Sequence, residues 1–271
     1  MEKQMKMLVC IKQVPGTNNV QIDPETGVMK REGVESKLNP FDLTALETAV
    51  RIKEQLGGEV AVLSMGPRQA EGIIREAFMM GADTGYLLSD RRFAGADVLA
   101  TAHTLAQGIS AIGQFDLIIC GKQTTDGDTA QVGPELAEML GIPHVTWVSK
   151  IDSVTNEAII VEQDMQELTQ VARLSYPCLI TVERNAFQPR LPSYRRKLQT
   201  AGREVKILTL DDFENQDESC YGLHGSATQV ERIFPPEVNS DRVMLEGSSQ
   251  ELTDRLYQLL HDLRYVGGKR A

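Results

Sequence analysis

Short apolar runs alternate with helical repeats along the first 140 residues of the chain. Four apolar runs predict buried strands, and they lie at residues 7–11, 59–65, 84–88 and 115–120. Between the runs, apolar residues recur at helical spacing and predict helices that begin near residues 40, 67, 96 and 132. Strands and helices that alternate in this way form parallel sheets with right-handed crossovers, so the pattern predicts a doubly wound sheet.

The last part of the chain has a different pattern. Four short runs rich in β-branched residues predict hairpins added to the sheet, and they lie at residues 145–148, 158–162, 169–174 and 178–182. A proline- and arginine-rich loop follows at 184–197, and then a long irregular stretch leads to a helix that starts near Ser248. One apolar face of that helix consists of Leu252, Leu256, Leu259, Leu260 and Leu263.

These patterns predict an α/β fold: a doubly wound, mainly parallel sheet with added C-terminal hairpins and an extended C-terminal arm ending in a helix. Residues 1–200 form the expected α/β domain, which includes the hairpins and the loop at 184–197. Residues 201–271 form the expected arm. A helix that follows so long an irregular stretch is typical of a docking segment, and it would dock on the protein's own body or on a partner chain.

The candidate functional segment is the loop that joins the fourth apolar run to the next helix. This loop, CGKQTTDGDTAQVGP from Cys120 to Pro134, is rich in glycine, hydroxyl and amide groups. In an open α/β sheet, ligands bind where such a loop leaves a strand, and a helix N-terminus there favours an anion such as phosphate. Segments 10–14, 39–42 and 65–67 should meet at the same crevice. The sequence therefore predicts a nucleotide site, with a self-capped loop that binds no ligand as the alternative.

Composition narrows the choice of partners. The 271 residues carry 38 acidic and 28 basic side chains, and a net charge of −10 argues against nucleic acid and anionic membranes. No apolar run approaches the ~18 residues of a membrane span, and no secretory signal pattern opens the sequence. We therefore expect no membrane insertion and a cytoplasmic location. The four cysteines are scattered, so no cysteine-based metal centre is expected.

Motifs for direct catalysis are missing from the sequence. No G-x-G-x-x-G follows the first predicted strand, and the chain has no G-x-x-x-x-G-K-[ST], G-x-S-x-G or H-E-x-x-H motif. We therefore predict no catalytic side chain. Any redox chemistry would belong to a cofactor, for which the protein supplies position and electrostatics.

Six segments, by their order and spacing together, resemble the beta (small) subunit of electron transfer flavoproteins. They are VCIKQVP at 9–15, NPFD at 39–42, SMGP at 64–67, MGAD at 80–83, GKQTTDGDTAQ at 121–131 and PCLITV at 177–182. Two further features resemble the electron-bifurcating type of this subunit. Asp42 stands where AMP-binding members have a different residue, and residues 95–102 resemble the bifurcating motif G-A-D-T-x-A-T-S. Val98 and Ala102 depart from that motif at its first Thr and its Ser.

The resemblance implies an obligate heterodimer with an electron transfer flavoprotein alpha subunit that carries its own FAD. It also implies that this chain holds FAD and NAD(H), or only AMP if it does not bifurcate electrons. The expected cofactor-binding residues are Cys10, Lys12, Asn39, Pro40, Phe41, Asp42, Met65, Gly66, Asp97, Thr101, Gly121, Lys122, Gln123, Thr124, Asp126, Gly127, Asp128, Thr129, Ala130, Gln131, Val132 and Gly133. Lys12, Arg91 and Arg92 are the expected local cations.

The implied reaction begins with hydride transfer from NADH to the FAD of this subunit. One electron then passes through the alpha-subunit FAD to a flavin dehydrogenase of the acyl-CoA or lactate dehydrogenase type, which the loop at 184–197 grips. The other electron reaches ferredoxin or flavodoxin in the bacterial cytoplasm. Two alternatives stay open: a carrier subunit that holds only AMP, and an ATP-dependent nucleotide-binding enzyme of the same architecture.

Overall fold

The computed structural model describes residues 4–16, 36–165, 167–231 and 242–266. The strands in chain order are β1 (Lys6–Cys10), β2 (Gln13–Pro15), β3 (Ser36–Leu38), β4 (Glu59–Met65), β5 (Thr84–Leu88), β6 (Leu117–Gly121), β7 (His144–Val154), β8 (Ala158–Asp164), β9 (Thr169–Ser175), β10 (Cys178–Val182) and β11 (Lys206–Leu208). The helices are α1 (Pro40–Leu56), α2 (Glu71–Met80), α3 (Val98–Ile112), α4 (Val132–Leu140), α5 (Tyr194–Gln199) and α6 (Ser249–Asp262). The strands and helices predicted for the first 140 residues are confirmed, with small shifts at their ends.

Nine strands form one sheet in the order β11-β5-β4-β1-β6-β10-β7-β8-β9. All pairings from β11 to β7 are parallel, whereas β7–β8 and β8–β9 are antiparallel. β2 and β3 form a separate antiparallel pair. The mainly parallel, doubly wound sheet is thus confirmed. Its central strands are continuous apolar runs because helices cover both of their faces.

The two faces of the parallel part have separate hydrophobic cores. α1 and α2 pack on one face, where Leu46 and Phe78 are fully buried. α3 and α4 pack on the other face, where Ile109 and Leu136 are buried. Each such side chain contributes roughly 1.5–3 kcal/mol relative to an exposed position. Because both faces are covered, a ligand can reach β1 and β6 at their ends.

One run predicted as part of a hairpin has a different role. Residues 178–182 form β10, an interior strand that is parallel to both β6 and β7. All five of its residues are buried. A short apolar run has the same pattern in an interior strand and in a hairpin, so periodicity alone does not separate the two. The hairpins formed by β7, β8 and β9 are confirmed.

The segment after α5 returns to the sheet. β11, which the sequence did not indicate, pairs with β5 at the sheet edge. Phe213 then stacks on Phe93 at a centroid distance of 5.5 Å, and Tyr221 is fully buried beside them. The contacts divide the chain into two compact units, Met1–Arg232 and Ile233–Ala271. Residues 201–231 pack with the first unit, and the domain boundary expected at residue 200 stays a prediction.

Within the second unit, α6 begins at a reciprocal cap. The Ser248 hydroxyl accepts a hydrogen bond from the N–H of Glu251, and the Glu251 carboxylate accepts one from the N–H of Ser248. The apolar side chains of Leu256 and Leu259 on this helix and of Leu263 directly after it are exposed. Among the described residues, no helix is long and apolar enough to cross a membrane.

Candidate nucleotide site

The crevice at the carboxyl ends of β1 and β6 is the candidate site. From β1 the chain moves outward through β4 and β5, and then returns to form β6 on the other side of β1. Doubly wound sheets bind ligands at such a reversal of strand order. Cys10 at the end of β1 lies opposite Cys120 of β6 in the parallel register. The structure therefore brings together the two segments that the sequence places after these strands.

Asp42 links the two strand ends. It lies in the first turn of α1 and is only 5% exposed. Its Oδ2 accepts a hydrogen bond from the backbone N–H of Lys12 at 2.8 Å, just beyond β1. At the end of β6, a Cβ on Gly121 would overlap Oδ1 of Asp42 and lie 2.7 Å from Cβ of Phe41. The glycine is therefore required by the close approach of this carboxylate to the strand end.

The carboxyl group of Asp42 titrates near neutral pH. Burial raises its pKa from 3.8 to about 7. Hydrogen bonds from Asn39 and from the backbone at Lys12 and Gly121, together with the charge of Lys12, act in the opposite direction. A buried carboxyl group whose pKa has moved this far, in a crevice, is typical of functional sites.

Asn39 ties α1 to both sides of the crevice. Its side chain does not cap the helix. Nδ2 instead donates to the carbonyl oxygen of Gln123 at 2.9 Å, and the backbone N–H donates to the carbonyl oxygen of Lys12 at 2.9 Å. Its Oδ1 is buried without a hydrogen-bond partner among the described residues. Because such an acceptor costs about 1–3 kcal/mol, it fits a ligand that brings an N–H donor, such as an adenine amine.

A salt bridge joins the two segments that border the crevice. Nζ of Lys12 lies 2.9 Å from both carboxylate oxygens of Asp126. Burial acts to raise the pKa of Asp126, but the hydrogen bond and charge of Lys12 outweigh it and hold that pKa below its usual value. The expected cation therefore lies at the crevice, and an aspartate of this chain is its partner.

The loop after β6 is closed by its own hydrogen bonds. The carbonyl oxygen of Thr124 accepts the N–H of Asp128 at 3.0 Å, and its hydroxyl accepts the N–H of Gly127 at 3.3 Å. The Gln123 amide also donates to the Asp128 carboxylate. These contacts hold the predicted residues in one turn beside the strand end.

The second half of this loop has unusual backbone angles. Asp128 and Ala130 have φ values of 53° and 57°, in the left-handed region that side chains other than glycine rarely adopt. Thr129 between them is exposed, as is Gln131 at the start of α4. Backbone outliers of this kind cluster at ligand sites because the surrounding structure holds them in place.

α4 begins directly after the loop. The backbone N–H groups of its first turn, which include Val132 and Gly133, have no acceptor within the helix and carry the positive end of the helix dipole. Gly133 is required by packing, since a Cβ there would overlap the side chain of Thr181 on β10. The helix start can therefore lie close to the sheet and near the crevice.

β4 and α1 supply the remaining residues near these strand ends. Met65 ends β4 and is partly buried, and the N–H of Gly66 donates to the carbonyl oxygen of Leu88 at 3.0 Å. Pro40 and Phe41 open α1 and are partly exposed. These four predicted residues thus lie at the same carboxyl edge of the sheet as the loop.

The side chain of Asp97 forms hydrogen bonds within this chain. One carboxylate oxygen caps α3 by accepting the N–H of Ala100 at 3.0 Å. The other accepts from the N–H and hydroxyl of Thr228 at 2.8 and 3.0 Å. Burial acts to raise the pKa of Asp97, but these hydrogen bonds outweigh it and lower that pKa. Thr101 lies in the first turn of α3, where its N–H donates to the carbonyl oxygen of Asp97 at 3.0 Å, and it is partly exposed.

Lys122, an expected cofactor-binding residue, and Arg92, an expected cation, have partners that the sequence did not indicate. Nζ of Lys122 lies 2.8 Å from Oε1 of Glu183 and 3.8 Å from the ring centroid of Trp147. Trp147 has a φ of 58°, a rare value for a bulky residue, at an irregularity between β7 and β10. Arg92 binds the carboxylate of Asp90 at 2.6 Å. The Lys122 contacts come from β7 and from the residue after β10, which are far away in the sequence, so no local motif could have revealed them.

Comparison with known proteins identifies the family. The model of the electron transfer flavoprotein domain matches residues 26–213. The chain is 45% identical to the electron transfer flavoprotein subunit beta of Thermoanaerobacterium thermosaccharolyticum over 263 residues, 97% of this chain and 100% of the relative. It is 45% identical to the caffeyl-CoA reductase-Etf complex subunit CarD of Acetobacterium woodii over 246 residues, 90% of this chain and 93% of the relative. It is 41% identical to protein FixA of Azorhizobium caulinodans over 252 residues, 91% and 90% of the two chains.

The fold and the crevice define a doubly wound α/β protein with a candidate ligand site at its point of strand reversal. The chain belongs to the electron transfer flavoprotein family, as a beta subunit. The family resemblance expected from the sequence is thereby confirmed.

Proposed function

We propose that this chain pairs with an electron transfer flavoprotein alpha subunit, holds FAD in the β1–β6 crevice with NAD(H) beside it, and takes part in electron bifurcation. The observation that carries the proposal is the crevice itself. Three of the segments that carry the family resemblance, at 9–15, 39–42 and 121–131, meet there. The similarity to a subunit of a caffeyl-CoA reductase-Etf complex supports a partner that acts on CoA thioesters.

The residues of the crevice would hold such a nucleotide by its two ends. The first-turn N–H groups of α4 and the ammonium group of Lys12 favour a phosphate. The unpartnered Oδ1 of Asn39 suits an amine of the base. A flavin bound there would supply the acceptance of hydride and the release of single electrons. This chain's own residues supply position and electrostatics.

Asp42 favours the bifurcating type over the AMP-holding alternative. Its carboxyl group is buried against the strand ends and titrates near pH 7, so it provides the crevice with a proton-holding group. Of the two departures from the bifurcating motif, Ala102 is fully buried and Val98 is the first residue of α3. Asp97 accepts the N–H of Ala100, so the donors that we propose for the pyrophosphate in place of the missing hydroxyls are the backbone N–H groups of Val98 and Leu99 or the hydroxyl of Thr101.

The loop at 184–197 is our proposed contact for the partner flavin dehydrogenase, of the acyl-CoA or lactate dehydrogenase type. Arg190 anchors this loop to α1, because its guanidinium lies 2.7 Å from the carboxylate of Glu47 and 2.6 Å from that of Glu54. Leu191 and Tyr194 next to this anchor are 87% and 73% exposed. Exposed apolar side chains on a fixed base suit a protein contact. Ferredoxin or flavodoxin is the proposed second acceptor.

The apolar side chains of α6 support docking on the alpha subunit. Leu256, Leu259 and Leu263 lie at helical spacing and are exposed in this chain. A helix of this kind buries its apolar face in the groove of a partner.

A flavin titration tests the proposed function. The heterodimer, purified without added nucleotide, should release two flavins on acid treatment, and anaerobic NADH should bleach both. Dithionite serves as the control that both flavins are reducible. One FAD together with one AMP, and no bleaching by NADH, would contradict the proposal and support the carrier alternative. Release of pyrophosphate from ATP would support the other alternative, an ATP-dependent nucleotide-binding enzyme of the same architecture.

A further inference from the structure

We infer that Asp126 holds Lys12 as a competing anion until a phosphate group of the nucleotide replaces it, so that this pair sets the preference of the crevice for phosphorylated nucleosides. The inference rests on the proposed nucleotide site and adds a specificity role for one aspartate. Its starting observation is that both carboxylate oxygens of Asp126 lie 2.9 Å from Nζ of Lys12.

The main chain of Lys12 is fixed, whereas its side chain can change partner. The backbone N–H donates to Asp42 at 2.8 Å, and the carbonyl oxygen accepts the N–H of Asn39 at 2.9 Å. Both contacts come from the start of α1. The ammonium group is thus carried on a flexible stem from a fixed point beside the crevice.

The loop that carries Asp126 keeps its shape without Lys12. Its turn is closed by hydrogen bonds from the N–H groups of Gly127 and Asp128 to Thr124. The Thr124 side chain also hydrogen-bonds the Asp126 carboxylate, so that carboxylate retains a partner when the ammonium group leaves. Exchange of the lysine therefore leaves the loop intact.

The exchange is favourable because the existing salt bridge is weak and its replacement is strong. The side chains of Lys12 and Asp126 are 45% and 23% exposed, and pairs this exposed contribute little. The phosphate monoester of AMP carries more charge than a carboxylate and binds the same ammonium more strongly. Asp42 and Asp128 are two other carboxylates of this region, and they have hydrogen-bond partners of their own, while Glu183 pairs with Lys122.

The test compares AMP with adenosine, which differ only in the phosphate, by calorimetry on the protein freed of bound nucleotide. Asp126→Asn should tighten AMP binding about five-fold and leave adenosine binding unchanged, since release of an exposed pair corresponds to a few-fold change. Lys12→Met should weaken AMP alone. In the Lys12→Met background, Asp126→Asn should no longer tighten AMP binding.

Glu162→Gln is the matched control, because it removes a partner of Lys150 at 2.6 Å on the β7–β8 hairpin and should leave both affinities unchanged. An equal loss of AMP and adenosine binding in Asp126→Asn would overturn the inference and make the carboxylate a ribose ligand. If Asp126→Asn leaves the ratio of AMP affinity to adenosine affinity unchanged, the inference is also overturned. Wild-type protein that binds neither ligand would overturn the nucleotide site itself.

Discussion

Replacing Asp42 by asparagine should remove the pH dependence of stability that this residue imposes. The carboxyl group is buried, and its pKa is raised from 3.8 to about 7 on folding. Its contribution to stability is therefore fully present below about pH 4 and is lost as the pH rises through about 7. Asparagine keeps the shape of the side chain but cannot ionise, so the variant lacks this loss.

The size of the effect follows from the change in pKa. A pKa that moves from 3.8 to about 7 corresponds to about 4 kcal/mol at 1.36 kcal/mol per pH unit, of which about 2.5 kcal/mol falls between about pH 5 and pH 8. Against this, asparagine has one acceptor oxygen for the two backbone N–H groups of Lys12 and Gly121, so its NH2 group would face one of them at a pH-independent cost of about 1–3 kcal/mol. The variant should therefore gain about 2.5 kcal/mol of stability relative to wild type as the pH rises from about 5 to about 8.

Urea unfolding at a series of pH values from about 5 to about 8 measures this difference. Asp126→Asn is the control. The pKa of Asp126 is lowered in the folded protein, so its contribution is present above its unfolded pKa and is lost only as the pH falls below that range. The difference between this control and wild type should be flat over the same pH interval. If the difference in free energy of unfolding between Asp42→Asn and wild type also stays constant over this pH interval, the reasoning is refuted.

Two further substitutions test the supports of the crevice and of the 184–197 loop. Gly121→Ala should lower the free energy of unfolding by about 1–3 kcal/mol, because the added methyl overlaps the carboxylate beside it. Gly72→Ala in α2, where no atom lies within 4 Å of the new methyl, should instead stabilise by about 0.5–1 kcal/mol in the same urea measurement. Arg190→Ala should cost about 3 kcal/mol and speed proteolysis of the loop, because it leaves the buried carboxylate of Glu47 with less compensation. Arg75→Ala breaks only an exposed pair, so a cost as large as that of Arg190→Ala would contradict this reasoning.

The fold could be predicted where sequence pattern and burial agree. β1, β4, β5 and β6 are continuous apolar runs because both faces of the sheet are covered, and the intervening helices end at glycines. β10 could not be distinguished from a hairpin strand, since its place between β6 and β7 depends on long-range pairing. β11 is only three residues long and lies at the edge, so it has too little pattern to detect.

The position of the candidate site could be predicted, but its internal contacts could not. The rule that ligands bind at the point of strand reversal places the loops after β1 and β6 together. The contact between Asp42 and the N–H of Lys12 joins residues 30 positions apart, and Lys122 meets Glu183 across 61 positions. Such contacts depend on how helices and strands pack, which no local spacing records. The hydrogen bond from the N–H of Thr228 to the carboxylate of Asp97 could not be predicted for the same reason.

Alkylation of Cys10 tests the central claim, that a nucleotide occupies the crevice between β1 and β6. Cys10 ends β1 and, like Cys220 elsewhere in the chain, is a partly buried free thiol. Rates of iodoacetamide modification at both thiols are measured by peptide mass spectrometry, with and without bound nucleotide. The account predicts that FAD or AMP slows modification of Cys10 about ten-fold and leaves Cys220 unchanged, since a ligand covers only the first thiol. Equal Cys10 rates in protein with tightly bound nucleotide and in protein freed of it would contradict the claim.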